Sequence, residues 1–422
     1  MVSRRGFIKA GGLALFSIGL GGLPNFVVEA AQKILPNQPF YRKKILICIF
    51  QRGAMDGLMA VSPFTDINFS SARPSLFIPA NKLPNSPNLI DLDGRFGMHP
   101  SMGSFTGLFS QKQLAIVHGI GSPNNTRSHF DAQDFMESGT PFNKGTSSGW
   151  LNRAVGLLGH DALTPFQAVS LTSSLPRSLY GPNSTLAIAN LQDFALQSRN
   201  NPMVPNLAAS SFEELYDQTS ASLLRNTGKE SFEAMKIIQN TDIRNYKPSP
   251  KANYPNSPLS NSLKQIAQLV KMNVGLEIAF AESGGWDTHF NQGAQNGIFA
   301  RNIQDFTNSI SALWNDLEAF QDDVIIMTMT EFGRTVRENG TGGTDHGRAS
   351  CNFIIGNEIA GGKVYGDVPV LVKENLEDGR DLPVTTDFRT VFSEITQKHF
   401  SLKNNTVLFP DFSSIPLGIM KT

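Results

Sequence analysis

The sequence is poor in cysteine and has no excess of charge of either sign. Its 422 residues include two cysteines, Cys48 and Cys351, too few for an iron–sulfur cluster or a disulfide framework. Both lie in apolar runs, which predicts buried thiols. Basic and acidic residues number 36 each and form no basic run, so nucleic acid is not an expected partner. The absence of a dinucleotide glycine fingerprint places a redox enzyme last among the candidate functions.

The first thirty residues lack an apolar run long enough to span a bilayer well. They do carry Arg4 and Arg5 in a twin-arginine motif, then the weakly apolar, glycine-rich residues 10–23 and a small-residue cleavage candidate at residues 28–30. This pattern predicts a twin-arginine (Tat) signal peptide over residues 1–30. It also predicts the Tat export machinery as a partner, a periplasmic or extracellular location, and no stable membrane span after cleavage.

Apolar runs rich in β-branched residues alternate with segments of helical spacing along the rest of the chain. The alternation predicts an α/β fold, with a doubly wound, mostly parallel sheet and helices on both faces. Residues 31–422 are expected to form a single domain with a helical insertion around 200–260. The Pro- and Asn-rich residues 67–98 are expected to run over the surface. Strands are predicted at 44–50, 114–118, 166–171, 186–191, 275–280, 323–330 and 351–356, and helices at 128–137, 150–158, 212–224, 231–239, 263–274, 299–320 and 387–395.

Two Asp/His pairs lie in glycine loops after predicted strands, at the strand ends where open α/β sheets place their chemistry. Alternate side chains of an extended segment share a face, so Asp287 and His289 can close on one ion. The neighbours Asp345 and His346 point apart, which suits ligands of two adjacent ions. For a single pair, a capping Asp and a packed His explain the residues equally well. Two pairs together favour a divalent metal such as zinc or manganese.

Two further candidates also follow predicted strands. Asp56 lies in a glycine-bracketed loop at a position that suits a ligand carboxylate, although an Asp-Gly turn is the simpler interpretation of this residue alone. Ser128 precedes a predicted helix, and with Asp131 it forms a capping arrangement. The same helix end stabilises anions, and a nearby metal would favour the Ser128 alkoxide as a nucleophile. Nucleophile and plain cap are both open.

These motifs resemble the DUF1501 family of exported bacterial proteins over nearly the whole mature chain. The resemblance rests on the twin-arginine leader and on Arg-Gly-Ala-Met-Asp-Gly-Leu, Arg-Ser-His-Phe-Asp-Ala-Gln, Gly-Gly-Trp-Asp-Thr-His, Thr-Glu-Phe-Gly-Arg-Thr and Gly-Thr-Asp-His-Gly. Distant relatives of that family form the alkaline phosphatase and sulfatase superfamily, which hydrolyses or transfers phosphate and sulfate esters with bound metal ions. The resemblance implies the same fold and the same roles for the residues named above.

The sequence departs from that superfamily in three places. Alkaline phosphatases space the first Asp and His more widely than Asp287 and His289. They also use a late histidine, whereas His399 is expected at a helix end and is not assigned as a ligand. Formylglycine sulfatases need Cys-x-Pro-x-Arg, which neither cysteine provides.

The sequence therefore predicts a periplasmic, metal-dependent hydrolase or transferase that acts on a small anionic or glycan-type phosphate or sulfate ester. Zinc, manganese, calcium and magnesium are not distinguished. A non-catalytic envelope protein that binds a ligand or partner in the same cleft is the alternative. One or two divalent ions are predicted on Asp56, Asp287, His289, Asp345 and His346.

Three other side chains are predicted to act on the substrate. Ser128 would attack phosphorus or sulfur, and His129 would protonate the leaving group, unless it is a packed or solvated imidazole. Arg334 or Arg52 would neutralise the charge that develops. Glu331 is expected either to bind the metal or to pair with Arg334.

Overall fold

The computed structural model describes residues 43–80, 88–191, 230, 233–234, 237, 246–402, 406–413 and 415–421. The predicted signal peptide and the helix predicted at 212–224 lie outside these residues, as does most of the predicted insertion. Within the described ranges, no helix combines the length and apolar character needed to cross a bilayer.

A sheet of nine strands forms the centre of the described structure, in the order β11-β5-β10-β9-β1-β8-β6-β7, with β12 paired to β5. A small sheet, β2-β4-β3, lies apart from it. In chain order the strands are β1 (Ile45–Gln51), β2 (Val61–Ser62), β3 (Ile90–Asp91), β4 (Gly97–Met98), β5 (Leu114–Gly121), β6 (Ala168–Ser170), β7 (Leu186–Ala187), β8 (Ile278–Ser283), β9 (Val324–Met329), β10 (Ser350–Ile355), β11 (Lys363–Tyr365) and β12 (Thr386–Asp387).

Most strand pairs in the large sheet are parallel. Strand β1 pairs in parallel with β8 and β9, while β10 is antiparallel to both β5 and β9. The predicted fold class is confirmed. The α-helices, in chain order, are α1 (Gly57–Ala60), α2 (Ile67–Ala72), α3 (Thr106–Ser110), α4 (His129–Ser138), α5 (Trp150–Leu157), α6 (Pro258–Lys271), α7 (Ile298–Leu317) and α8 (Phe388–Phe400).

Strand β1 is buried along its whole length because the sheet is covered on both faces. Successive side chains of a strand point to opposite faces, so a strand buried on both sides has a continuous apolar sequence. Its side chains alternate between two separate apolar cores, with Ile45, Ile47 and Ile49 in one and Leu46, Cys48 and Phe50 in the other. Both cysteines are free and buried, as predicted.

Two helix pairs supply these cores. Helices α6 and α7 pack against the first core through residues such as Ile266 and Phe306, and α5 and α8 pack against the second through Trp150 and Phe392. Helix α6 begins five residues before the predicted start at residue 263. It does so because Ser257 caps it and Pro258 occupies its first turn, a combination that favours helix initiation.

Residues 67–98 differ from their predicted surface course. Where this segment is described, it forms α2, β3 and β4 and buries Phe69, Phe96 and the guanidinium of Arg73. Its polar composition concealed a few well-spaced apolar side chains. Burial of Arg73 is possible because Asp56 pairs with it.

Candidate metal centre

The site lies at one edge of the large sheet. Strands β1, β8 and β9 are parallel, so the loops that follow them all emerge at this edge. Because β10 is antiparallel to β5 and β9, the end of β5 and the start of β10 lie there as well. Gly53 shows how tightly these loops pack: a Cβ on this residue, which has φ +116°, would lie 2.6 Å from the backbone nitrogen of Asp287.

Three side chains from the start of α4 and from two loops converge at this edge. Ligand atoms of His129, Asp287 and His346 all lie within 4.8 Å of one another. Nε2 of His129 is 3.0 Å from Nε2 of His346 and 3.4 Å from Oδ2 of Asp287. Nε2 of His346 is 3.3 Å from Oδ1 of the same carboxylate. These residues could hold a metal ion.

His289 approaches the group from the opposite side. Its Nε2 lies 2.9 Å from Nε2 of His346 and 3.0 Å from Oδ1 of Asp287. The structure therefore brings Asp287, His289 and His346 together, as the sequence predicted, and adds His129. Asp345 does not face the common centre through its hydrogen-bonded oxygen, because Oδ1 accepts from Nδ1 of His289 at 2.9 Å.

Hydrogen bonds at Nδ1 fix which nitrogen of each ring faces the centre. Nδ1 of His129 lies 2.7 Å from Oε1 of Glu331, and Nδ1 of His346 lies 2.9 Å from the carbonyl oxygen of Arg127. These partners, like Asp345 beside His289, only accept hydrogen bonds, so each Nδ1 carries a hydrogen. In the neutral form of each ring, Nε2 then directs a lone pair toward the other imidazoles and Asp287.

This arrangement fits a divalent cation. Lone pairs 2.9 to 3.0 Å apart repel each other when nothing positive lies between them. One proton relieves one such contact, whereas a metal ion relieves both. The surrounding charge agrees, because three carboxylates (Asp287, Glu331 and Asp345) contact these imidazoles and only one of them pairs with the buried guanidinium of Arg334. Carboxylates in this position favour a cation at the centre.

Glu331 is a buried carboxylate that orients His129. Its Oε1 also accepts from the backbone nitrogen of Gly53 at 2.8 Å and from Nε2 of Gln133 at 3.0 Å. Burial acts to raise the pKa of Glu331, but its hydrogen bonds from His129 and Gln133 outweigh burial and lower it. In return, the hydrogen bond to Glu331 raises the pKa of His129. Burial and the nearby charge of His129 lower the pKa of His346.

Arg334 lies beneath the centre with its side chain buried. Its Nη1 is 2.9 Å from Oδ1 of Asp287, but no guanidinium nitrogen meets an acceptor in hydrogen-bonding geometry among the described residues. The contact is therefore an ion pair without good alignment. Burial acts to raise the pKa of Asp287, and the charge of Arg334 helps to lower it overall. Arg52 is engaged elsewhere, with Glu137 and Glu282.

Ser128 is the N-cap residue of α4, as the sequence predicted, but its side chain makes no capping hydrogen bond. It is exposed and directly precedes His129. The hydroxyl is therefore not consumed in stabilising the helix. This leaves it open to chemistry at the positive end of α4.

Asp56 lies in a separate buried network. It caps α1 through Met59, and its two oxygens accept from Nη1 and Nη2 of Arg73 at 2.6 and 3.1 Å. Nε2 of Gln292 donates a further bond at 2.7 Å. This position matches the simpler interpretation, a turn-forming Asp. Both carboxylate oxygens already accept hydrogen bonds from groups within the protein. His399 is also engaged away from the centre, with Glu358 and the carbonyl oxygen of Ile45.

A family model matches residues 43–408, and its description is "Protein of unknown function (DUF1501)". The chain belongs to the DUF1501 family. The comparison with curated proteins finds no match to it.

Solved structures of the sulfatase and alkaline phosphatase type show low similarity to this DUF1501 protein. The PsFucS1 sulfatase from Pseudoalteromonas sp. is 10% identical, with a TM-score of 0.39, over 100% of this chain and 78% of that one. The alkaline phosphatase from the Antarctic bacterium TAB5 is 12% identical, with a TM-score of 0.32, over 75% and 92%. An alkaline phosphatase superfamily protein from Vibrio parahaemolyticus is 9% identical, with a TM-score of 0.29, over 83% and 73%. At these values the fold assignment rests on the strand order of the DUF1501 chain itself.

Sequence reasoning missed two contributions to the centre of this DUF1501 protein. His129 was predicted to be a proton donor rather than a neighbour of Asp287 and His346. Gln292 was not singled out, although it lies three residues after His289 in the same loop. The available signal for His129 was its place in the Arg-Ser-His-Phe-Asp-Ala-Gln motif.

Proposed function

We propose that this DUF1501 protein is an exported, metal-dependent hydrolase or transferase that acts on a phosphate or sulfate ester. The observation that carries the proposal is the convergence of three imidazole Nε2 atoms on Asp287, with an acceptor at every Nδ1. Outer partners of this kind orient histidines that bind metals. The export step rests on Arg4 and Arg5 of the leader.

In this proposal His129, His289, His346 and Asp287 hold one ion. A neutral imidazole with hydrogen on Nδ1 has one lone pair for a metal, and Nε2 of His346 lies beside both other rings. A single ion therefore uses all three nitrogens. Three imidazoles and one carboxylate favour zinc over calcium and magnesium, which prefer oxygen ligands. When bound, the ion would act as a Lewis acid toward an ester oxygen.

Ser128 supplies the nucleophile in the proposed reaction. The Ser128 hydroxyl gives up its proton, and Oγ forms a bond to phosphorus or sulfur as the bond to the leaving alkoxide breaks. The alkoxide takes up that proton, directly or through water. Water completes a hydrolysis, and a second alcohol completes a transfer. The positive end of α4 stabilises the anionic group that Ser128 attacks.

His129 and Arg334 take supporting parts. Both nitrogens of His129 are engaged, one with Glu331 and one at the centre, so we assign this residue as a ligand rather than a proton donor. Arg334 has no exposed side-chain surface and acts through Asp287, whose negative charge it holds in place. A small anionic or glycan-type ester remains the proposed substrate class.

The test uses the mature chain loaded with zinc or manganese and assayed on phosphomonoesters, phosphodiesters and sulfate esters. We expect turnover of one class, loss of turnover with chelator, and loss of both metal and turnover in His346→Ala. The matched control is His160→Ala, because His160 lies beside Lys43 and Glu277 at the opposite end of β8. A metal-loaded sample that is inactive on all three classes would refute the proposal and favour an envelope binding protein.

A further inference from the structure

The side chain of Gln292 joins the two loops that carry the proposed metal ligands. Its Oε1 accepts from the hydroxyl of Thr288 at 2.9 Å and from the hydroxyl of Thr344 at 2.7 Å. Thr288 stands between Asp287 and His289, and Thr344 directly precedes the second Asp/His pair. One amide oxygen thus contacts both loops, at the residues adjacent to the ligands.

The other end of the Gln292 amide is fixed as firmly. Its Nε2 donates to Oδ2 of Asp56, which is in turn paired with Arg73. Gln292 is fully buried, and Thr288, Thr344, Asp56 and Arg73 are buried with it. Reversing the amide would place NH₂ against two hydroxyls and oxygen against a carboxylate, so a single orientation is stable. The ion pair of Asp56 and Arg73 therefore anchors the amide that sets the loop spacing.

The backbones of the two loops are also in contact. The nitrogen of Thr344 donates to the carbonyl oxygen of Thr288 at 3.1 Å. The backbone nitrogens of Asn291 and Gln292 donate to the carbonyl oxygens of Thr341 and Gly342 at 3.1 and 2.9 Å as well. These bonds tie the main chains of the two loops together. The two bonds to Gln292 add an attachment at the side chains of Thr288 and Thr344, the residues that adjoin the ligands.

We propose that Gln292 is a positioning residue for the metal centre: it holds the Asp287/His289 loop and the Asp345/His346 loop at the spacing that one ion requires. This inference rests on the metal binding of the proposed function. It assigns Asp56 and Arg73 to the support of the ligand loops rather than to the ion. Loss of an outer partner of this kind typically weakens metal binding by about 10- to 100-fold.

The experiment measures Co²⁺ and Zn²⁺ binding by chelator competition, together with the visible spectrum of the Co²⁺-loaded chain. Gln292→Met keeps the length of the side chain and removes its hydrogen bonds. We expect its metal affinity to fall by about 10- to 100-fold and its Co²⁺ bands to shift. The matched control is Gln167→Met. Gln167 is also buried and bonds Glu277, but it lies at the opposite end of β8. This control should leave affinity and spectrum unchanged.

A second pair of variants keeps the test decisive if Gln292→Met does not fold. Thr288→Ser retains the hydroxyl and should bind metal like the wild type, whereas Thr288→Val removes it and should bind more weakly. Equal affinities across both pairs, equal weakening in Gln167→Met, or a wild-type chain that binds no Co²⁺ would overturn the inference. If the wild type and the variants bind Co²⁺ with the expected order of affinities but the wild type cleaves no ester, only the proposed function is refuted.

Discussion

Replacing Asp56 with asparagine should destabilise the fold and weaken metal binding through Gln292, while the chain still takes up one ion at saturating metal. The substitution keeps the shape of the side chain but removes the charge that pairs with Arg73. One of its two oxygens becomes an NH₂ group that faces a donor. Both partners are fully buried, and removal of one partner of a buried ion pair costs about 3–5 kcal/mol of unfolding free energy.

The expected loss is a large part of the roughly 5–15 kcal/mol by which folded domains are usually stable. Arg73 keeps its bonds to the carbonyl oxygens of Thr335 and Val336, so the change should weaken the fold without abolishing it. A double variant, Asp56→Asn with Arg73→Met, removes both charges. It should lose less stability than the two single variants combined, because it leaves neither buried charge without its partner.

The assay compares urea denaturation of the wild type, the two single variants and the double variant, each with its metal content by elemental analysis. One ion per chain is expected throughout. The reasoning fails if Asp56→Asn loses the ion at unchanged stability, because that result would make Asp56 a ligand. It fails equally if the double variant loses as much stability as the two single variants combined.

Three other perturbations have expected outcomes. Gly343→Ala would place a Cβ 2.3 Å from the carbonyl oxygen of His289, so it should lower the free energy of unfolding by about 1–3 kcal/mol and weaken metal binding. The control is Gly340→Ala, whose Cβ would have nothing within 4 Å, and it should change neither quantity in melting and chelator assays. Ser128→Ala should lower turnover by roughly three orders of magnitude, while the free energy of unfolding changes by less than about 0.5 kcal/mol. Full turnover with a stability loss of about 1 kcal/mol would instead identify Ser128 as a plain cap. The pKa of His129 is raised by Glu331, so in the metal-free chain this pair stabilises the fold below the ordinary pKa of 6.5 and loses that effect as pH rises through the raised value. The advantage of the metal-free wild type over His129→Ala in urea midpoint should therefore shrink between pH 5 and pH 8, and a constant difference would contradict the reasoning.

Much of the fold could be predicted because its strands are marked by composition. The apolar runs at β1 and β9 are long, β-branched and bounded by loops, and the structure places both at the centre of the sheet. The ends of helices and strands were predicted less accurately where the hydrophobic pattern is weak. Strand β7 extends over two residues although six were predicted, and α6 starts in a segment whose Asn, Ser and Pro resembled a loop.

Only the parts of the candidate site that lie within one short motif could be predicted from the sequence. The pairs Asp287/His289 and Asp345/His346 are visible as motifs, because each places a carboxylate and an imidazole side by side. The partnership of His129 with Glu331 is not visible, since 202 positions separate them and only the folded sheet brings them together. The motif around Asp56 made it a reasonable ligand candidate, but the structure pairs it with the buried Arg73. The burial of Arg73 could not be predicted, because residues 67–98 are rich in polar residues.

The antiparallel direction of β10 has a consequence for how this site is inherited. A chain that leaves β9 would normally cross the sheet before entering the next parallel strand, but here it re-enters from the edge at which it left. Residues 330–349 therefore begin and end at the edge that carries the centre, and they contribute Glu331, Arg334, Asp345 and His346. Exchange of this one contiguous segment between relatives would transfer all four groups together, and it would not change the order of the strands.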